Sequence, residues 1–117
     1  MYYSLKYTND VKEGSAGQAN LWFIKIRPEY KGDIGLLAHE VVHTEQFWKT
    51  LGFHGLLYWL SKSYKLKCEV EAYREQLKWP PATEDRPHYA QHYAEFIAQK
   101  YGLSIPVEEA LKLLNTK

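Results

Sequence analysis

Apolar positions fall into two regimes along the chain, one with a period of two and one with a helical period. Residues 2 to 8 (YYSLKYT) and 19 to 27 (ANLWFIKIR) are rich in aromatic and β-branched side chains, with Leu21, Phe23, Lys25 and Arg27 alternating against Trp22, Ile24 and Ile26. Such alternation suits a strand with one buried face, so two strands are predicted. Between them NDVKEGSAGQ supplies Asn, Asp, Ser and two Gly, which predicts an antiparallel hairpin with a long loop. Beyond Pro28 the helical period takes over. Gly32-Asp33 offers a turn and an N-cap for a helix over 34–51, closed by Gly52. A second helix over 53–64 carries a stripe of Phe53, Leu56, Leu57, Leu60 and Tyr64; a third over 66–78 carries Leu66, Val70, Tyr73 and Leu77 and stops before Pro80-Pro81. A fourth over 87–101 opens with Pro87 and ends at Gly102, and a fifth covers 106–115. A small antiparallel sheet followed by about five helices is an α+β fold. The linker-like PPATEDRP is too short to part domains, so 1–117 is expected to be one domain.

Composition narrows the function classes. A formal charge of +1, with basic residues scattered among acids, argues against a nucleic-acid or acidic-lipid partner, and Lys62, Lys65 and Lys67 read as a solvated face. The single cysteine, Cys68, excludes an internal disulfide and fits a reducing compartment; it reads as a small buried thiol. No signal peptide or membrane-length apolar run is visible, which together predict a cytoplasmic protein.

The chemistry-bearing segment is Leu36-Leu37-Ala38-His39-Glu40-Val41-Val42-His43. Two histidines four apart on a helix project from one side and can share a metal ion, and Glu40 at the edge of that side is placed to act as general base. Leu36, His39, Glu40, His43 and Phe47 share this side, while Leu37, Val41 and Trp48 fall on the other. A single zinc ion with two imidazoles needs a third protein ligand and one open position. A downstream Gly and His that would supply it locally are replaced by Gln46 and Lys49. On the third helix Glu69 lies about 70° from the centre of the apolar stripe and Glu71 about 130° from it. The wheel favours Glu69 as ligand, with Glu71 the alternative. Tyr73, one turn after Glu69, is the chosen donor to a developing oxyanion, with Arg74 and His54 as alternatives, although His54 also reads as an exposed loop histidine. A second pair, His88 and His92, has the same spacing, but Tyr89, Tyr93, Phe96 and Ile97 take the apolar face and leave both histidines with Glu95 on a solvated one.

His39-Glu40-x-x-His43 followed by helical Glu69-Val70-Glu71-Ala72-Tyr73 resembles the gluzincin branch of the zincin metallopeptidases, with Tyr73 standing where several families have Asp. His43-Thr44-Glu45-Gln46 with Glu-x-Glu-Ala-Tyr-Arg is similar to small metallopeptidase-like proteins of bacteria and phages. The resemblance implies a zincin-like arrangement and a zinc-dependent hydrolase of the metallopeptidase kind, whose peptide or protein substrate lies along an edge strand near residues 19–27. The rival reading is a zincin-like domain that binds metal or a protein partner without hydrolysis, suggested by Glu45 at a usually hydrophobic position and by the missing Asp; a zinc amidase acting on another amide shares the same machinery.

Overall fold

The structure, a computed structural model, describes residues 2–116. Three strands, β1 (Ser4–Tyr7), β2 (Gly17–Asn20) and β3 (Phe23–Ile26), precede five helices: α1 (Ile34–Lys49), α2 (His54–Leu60), α3 (Lys62–Gln76), α4 (Arg86–Lys100) and α5 (Val107–Asn115). The α+β class is as expected, but the sheet is not a simple hairpin. Its order is β1-β3-β2, with β1 parallel to β3 and β2 antiparallel to it. The predicted long loop contains β2, and the predicted strand over 19–27 is bent back on itself at Leu21-Trp22, so that Asn20 pairs with Phe23. No turn-forming pair marks that bend. Leu21 takes a left-handed φ of 55°, and the turn is tied down by the Trp22 ring, which packs against Phe47 and stacks on Trp48 of α1. Within β3 the alternation holds: Ile24 and Ile26 are buried while Phe23 points outward.

Helix α1 starts where Asp33 accepts a hydrogen bond from the Leu36 N–H at 2.9 Å and ends as Gly52, at φ 91°, donates to the Phe47 carbonyl at 3.0 Å. The predicted second helix is too long. Ser61 is extended and its side chain caps a new helix by accepting from the Tyr64 N–H, so Tyr64 belongs to α3. The apolar stripe assigned to the second helix is not buried either, for α2 has no buried residue.

Two cores result. The small one joins Ile24 and Ile26 to Leu36, with Leu5, Leu37 and Val41 packed on it. The larger one unites α3, α4 and α5 through Val70, Tyr73, Leu77, Tyr93, Ile97 and Leu114. Helix α1 is held between them, against the sheet on one side and α3 on the other. Gly35 permits the close approach to α3, since a Cβ there would lie 3.2 Å from both the Gln76 side chain and the Pro80 carbonyl oxygen.

Candidate metal centre

The helix pitch puts His39, Glu40 and His43 on the side of α1 that faces α3 and the sheet, where His39 and Glu40 are each 5% exposed. From α3 comes Glu69, 2% exposed. Its Oε1 lies 3.7 Å from His39 Nε2 and 3.4 Å from His43 Nε2, and the three ligating atoms all lie within 4.8 Å of one another. A tetrahedral zinc ion sets its ligand atoms roughly 3.3 Å apart, so the cluster has the dimensions and donor chemistry of a metal site. A second sign is that Glu69 Oε1, buried beside two imidazoles, has no hydrogen-bond partner. A buried carboxylate oxygen left unpaired is costly unless a cation takes it. His39, His43 and Glu69 together could hold a metal ion.

The other Glu69 oxygen, Oε2, is held by the Tyr58 hydroxyl of α2, which donates to it. His43 Nδ1 lies 2.9 Å from Gln46 Oε1, and the Gln46 amide in turn donates to the Cys68 carbonyl at 3.1 Å. With Gln46 oriented by that second bond, its oxygen accepts from Nδ1–H and leaves Nε2 of His43 as the basic nitrogen facing Glu69. The His39 ring packs edge-on against Tyr73 with centroids 4.3 Å apart. Tyr73's hydroxyl is 2.8 Å from that of Tyr101.

Burial and charge act differently on the four groups. Burial, aided by the neighbouring His43, lowers His39 to about 3, so it is a neutral ligand across the physiological range. Burial, with Glu69 nearby, raises Glu40 to about 7. For His43, burial pulls down but the Glu69 charge, 3.4 Å away, outweighs it and holds the ring up at about 9. Burial likewise opposes ionisation of Glu69, and the His43 charge reverses that and brings Glu69 to about 2. In the metal-free protein His43 and Glu69 are therefore an ion pair, with a proton where a cation would sit.

The cluster opens on a cleft of about 980 Å³ walled by β2, α2 and α4. Gly17 of β2 lies against Glu40: a Cβ there would come 3.4 Å from Glu40 Oε2 and 3.1 Å from the Lys25 carbonyl oxygen. β2 is an edge strand, whereas β3, with four of the nine residues of the segment 19–27, is central. The edge beside the site is thus Gly17–Asn20, which shares only Ala19 and Asn20 with the expected segment.

The structure clusters Glu69 with the two histidines and places Glu71 in a separate groove with Glu45, Lys49 and Arg74. Arg74 is thereby removed from the site, and Glu45 does not face it. His54 is half-buried rather than an exposed loop residue: it lines the cleft, with Nδ1 2.9 Å from the Tyr64 hydroxyl and burial lowering its pKa. Cys68 is buried, which raises its thiol to about 11, and is not among the clustered ligands. His88 and His92 are exposed. Tyr58, Gln46 and Gly17 escaped sequence reasoning, yet faint signals existed. Tyr58 is four residues after His54 on an otherwise apolar helix, and Gln46 three after His43, both spacings that share a helix face. Compared with protein-family models, with curated proteins and with solved structures, the chain matches none.

Proposed function

We propose that the protein is a zinc-dependent hydrolase, and specifically a metallopeptidase, in which His39, His43 and Glu69 hold the ion and Glu40 is the general base. The observation that carries the reading is the unpartnered Glu69 Oε1 aimed at two imidazole nitrogens, with a carboxyl group of near-neutral pKa alongside. Bound there, zinc supplies a Lewis acid and makes water ionisable near neutral pH.

The chain's own residues supply the rest. A pKa of about 7 suits Glu40 both to take a proton and to return it to a leaving amine, because a base works best when its pKa is close to the working pH. Tyr58, donating to Glu69 Oε2, occupies that oxygen and leaves Oε1 as the one that would face an ion. The open backbone groups of Gly17–Asn20 suit an extended peptide added as a further strand, and the absent side chain at Gly17 leaves space beside Glu40. Tyr73 packs edge-on against the His39 ring and shares a hydrogen bond with Tyr101, which leaves its own O–H for a developing oxyanion when Tyr101 is the donor. His54, which lines the cleft with Nδ1 2.9 Å from the Tyr64 hydroxyl, is the alternative donor, in the tautomer that carries its hydrogen on Nε2.

A peptide-library digest by zinc-loaded protein, with Glu40→Gln as control, tests this reading. Cleavage is expected to drop by about 10²–10⁴-fold in the variant while zinc content is kept. Cleavage unchanged in Glu40→Gln would sink the mechanism. Stoichiometric zinc without cleavage of any peptide or other amide would favour the rival reading, a metal-binding domain without hydrolysis.

A further inference from the structure

Helix α2 is the only one of the five helices with no buried residue among the described residues. Its inner side faces the cleft through His54 and Tyr58. Its outer side and the turn before it are apolar and open to solvent: Leu51 is 87% exposed, Trp59 78%, Leu60 65%, Phe53 62% and Leu56 52%. Folded chains of this size do not usually leave so many large apolar side chains together in water, and a seven-residue helix gains little from its own hydrogen bonds. Such a face is expected to be covered when the protein works.

The surrounding charge indicates what covers it. Between Glu45 and Glu69 the chain carries Lys49, Lys62, Lys65 and Lys67 and no acidic residue, a bias that the overall charge of +1 averages away. Lys65 is used internally, reaching over the Tyr58 ring to the Tyr101 carbonyl, and Lys49 shares a groove with Glu45 and Glu71. Lys62 and Lys67 are exposed, and neither forms an ion pair among the described residues. Lys62 follows the last turn of α2 directly. Exposed Trp, Phe and Leu in a stretch of chain whose only charged residues are lysines make the pattern of a surface that rests in the boundary between headgroups and acyl chains of an acidic membrane. A two-fold contact between copies fits less well, because each copy would bring the same uncompensated lysines to the same seam. Among the described residues no helix is long and apolar enough to cross a membrane, and the proposed contact is one of lying on the bilayer.

We infer that the outer face of α2 and the turn before it, with Leu51, Phe53, Leu56, Trp59 and Leu60 as the apolar part, docks on a bilayer containing anionic lipid, with Lys62 and Lys67 of the adjoining α3 as the cationic part. The opposite side of the same helix lines the cleft, so docking sets the metal site beside the membrane surface. The inference stands whether or not the site is catalytic.

The test is co-sedimentation of the full chain with vesicles of phosphatidylcholine mixed with phosphatidylglycerol, beside vesicles of phosphatidylcholine alone, with the oligomeric state measured by light scattering. Binding is expected to the mixed vesicles, weakening with salt. The Lys62→Gln/Lys67→Gln variant should bind about twenty-five-fold more weakly, at about fivefold per lysine. Trp59→Ser/Leu60→Ser should lose binding while circular dichroism stays unchanged, since neither side chain is buried. Absence of binding, equal binding to both vesicle types, or a dimer that is lost in Trp59→Ser/Leu60→Ser without vesicle binding would overturn the proposal.

Discussion

The chain carries two histidine pairs with identical spacing, His39/His43 on α1 and His88/His92 on α4, and they come to opposite ends. The first lies between two cores, with a carboxylate from another helix 3.4–3.7 Å from its nitrogens. The second lies in solvent, its rings stacked with centroids 6.3 Å apart, and the nearby Glu95 accepts from Gln91 instead. Where the first pair is followed by Glu40, the second is followed by Tyr89. An i, i+4 spacing thus aligns two imidazoles on a helix, but a site for an ion also needs a third donor from elsewhere and enough burial to make an unfilled position costly.

Removing one member of each pair gives the sharpest separation. In the metal-free protein His43→Ala leaves Glu69 buried without its main counter-charge and is expected to cost about 3–5 kcal/mol in urea unfolding, whereas His88→Ala should stay within about 0.5 kcal/mol. Elemental analysis should find about one zinc per chain in wild type and in His88→Ala/His92→Ala, and none in His39→Ala/His43→Ala. Equal zinc loss in both double variants would erase the contrast.

Protonation gives the next largest effect. His43 in the metal-free protein is held at about 9, so between about pH 9 and pH 7 an incoming ion must displace one proton and zinc affinity should fall about tenfold per unit. Below about pH 7 the fall should steepen, because Glu40 is then also protonated and its proton is driven off by the cation's field. His39, lowered to about 3, adds nothing to the slope over this range. Competition titrations against a chelator at several pH values measure it, and a flat profile would contradict the assignment of His43.

Tyr58→Phe frees Glu69 Oε2 and should weaken zinc binding by about 10–100-fold with little change in circular dichroism, as α2 adds nothing to either core. The smallest effect is the most instructive. Tyr89→Glu writes a second His-Glu-x-x-His on α4, and it is expected to yield no additional stoichiometric zinc, for no third donor is clustered with His88 and His92 among the described residues.

Whatever depends on neighbours within one or two turns was legible in the amino-acid sequence. Asp33 and Gly52 bound α1, the alternation of Ile24 and Ile26 marks the buried face of β3, and the spacing of His39, Glu40 and His43 places them on one side of a helix because the pitch is invariant. The α+β class follows from the same local periods. What remained open depends on which faces of separate elements meet. Both Glu69 and Glu71 sit on α3 near the same height, and only the packing of α3 on α1, allowed by Gly35, turns Glu69 inward. The bend at Leu21-Trp22 has no local turn chemistry and is held by rings on α1, so the strand order and the edge beside the site could not be read from pattern. The stripe on α2 looked like a core stripe, since periodicity reports that a face is apolar and is silent on whether anything covers it. Local geometry is encoded by nearest neighbours along the chain, but the carboxylate that joins the two histidines, the tyrosine that holds it and the open apolar face depend on contacts between distant segments, which only the folded chain brings together.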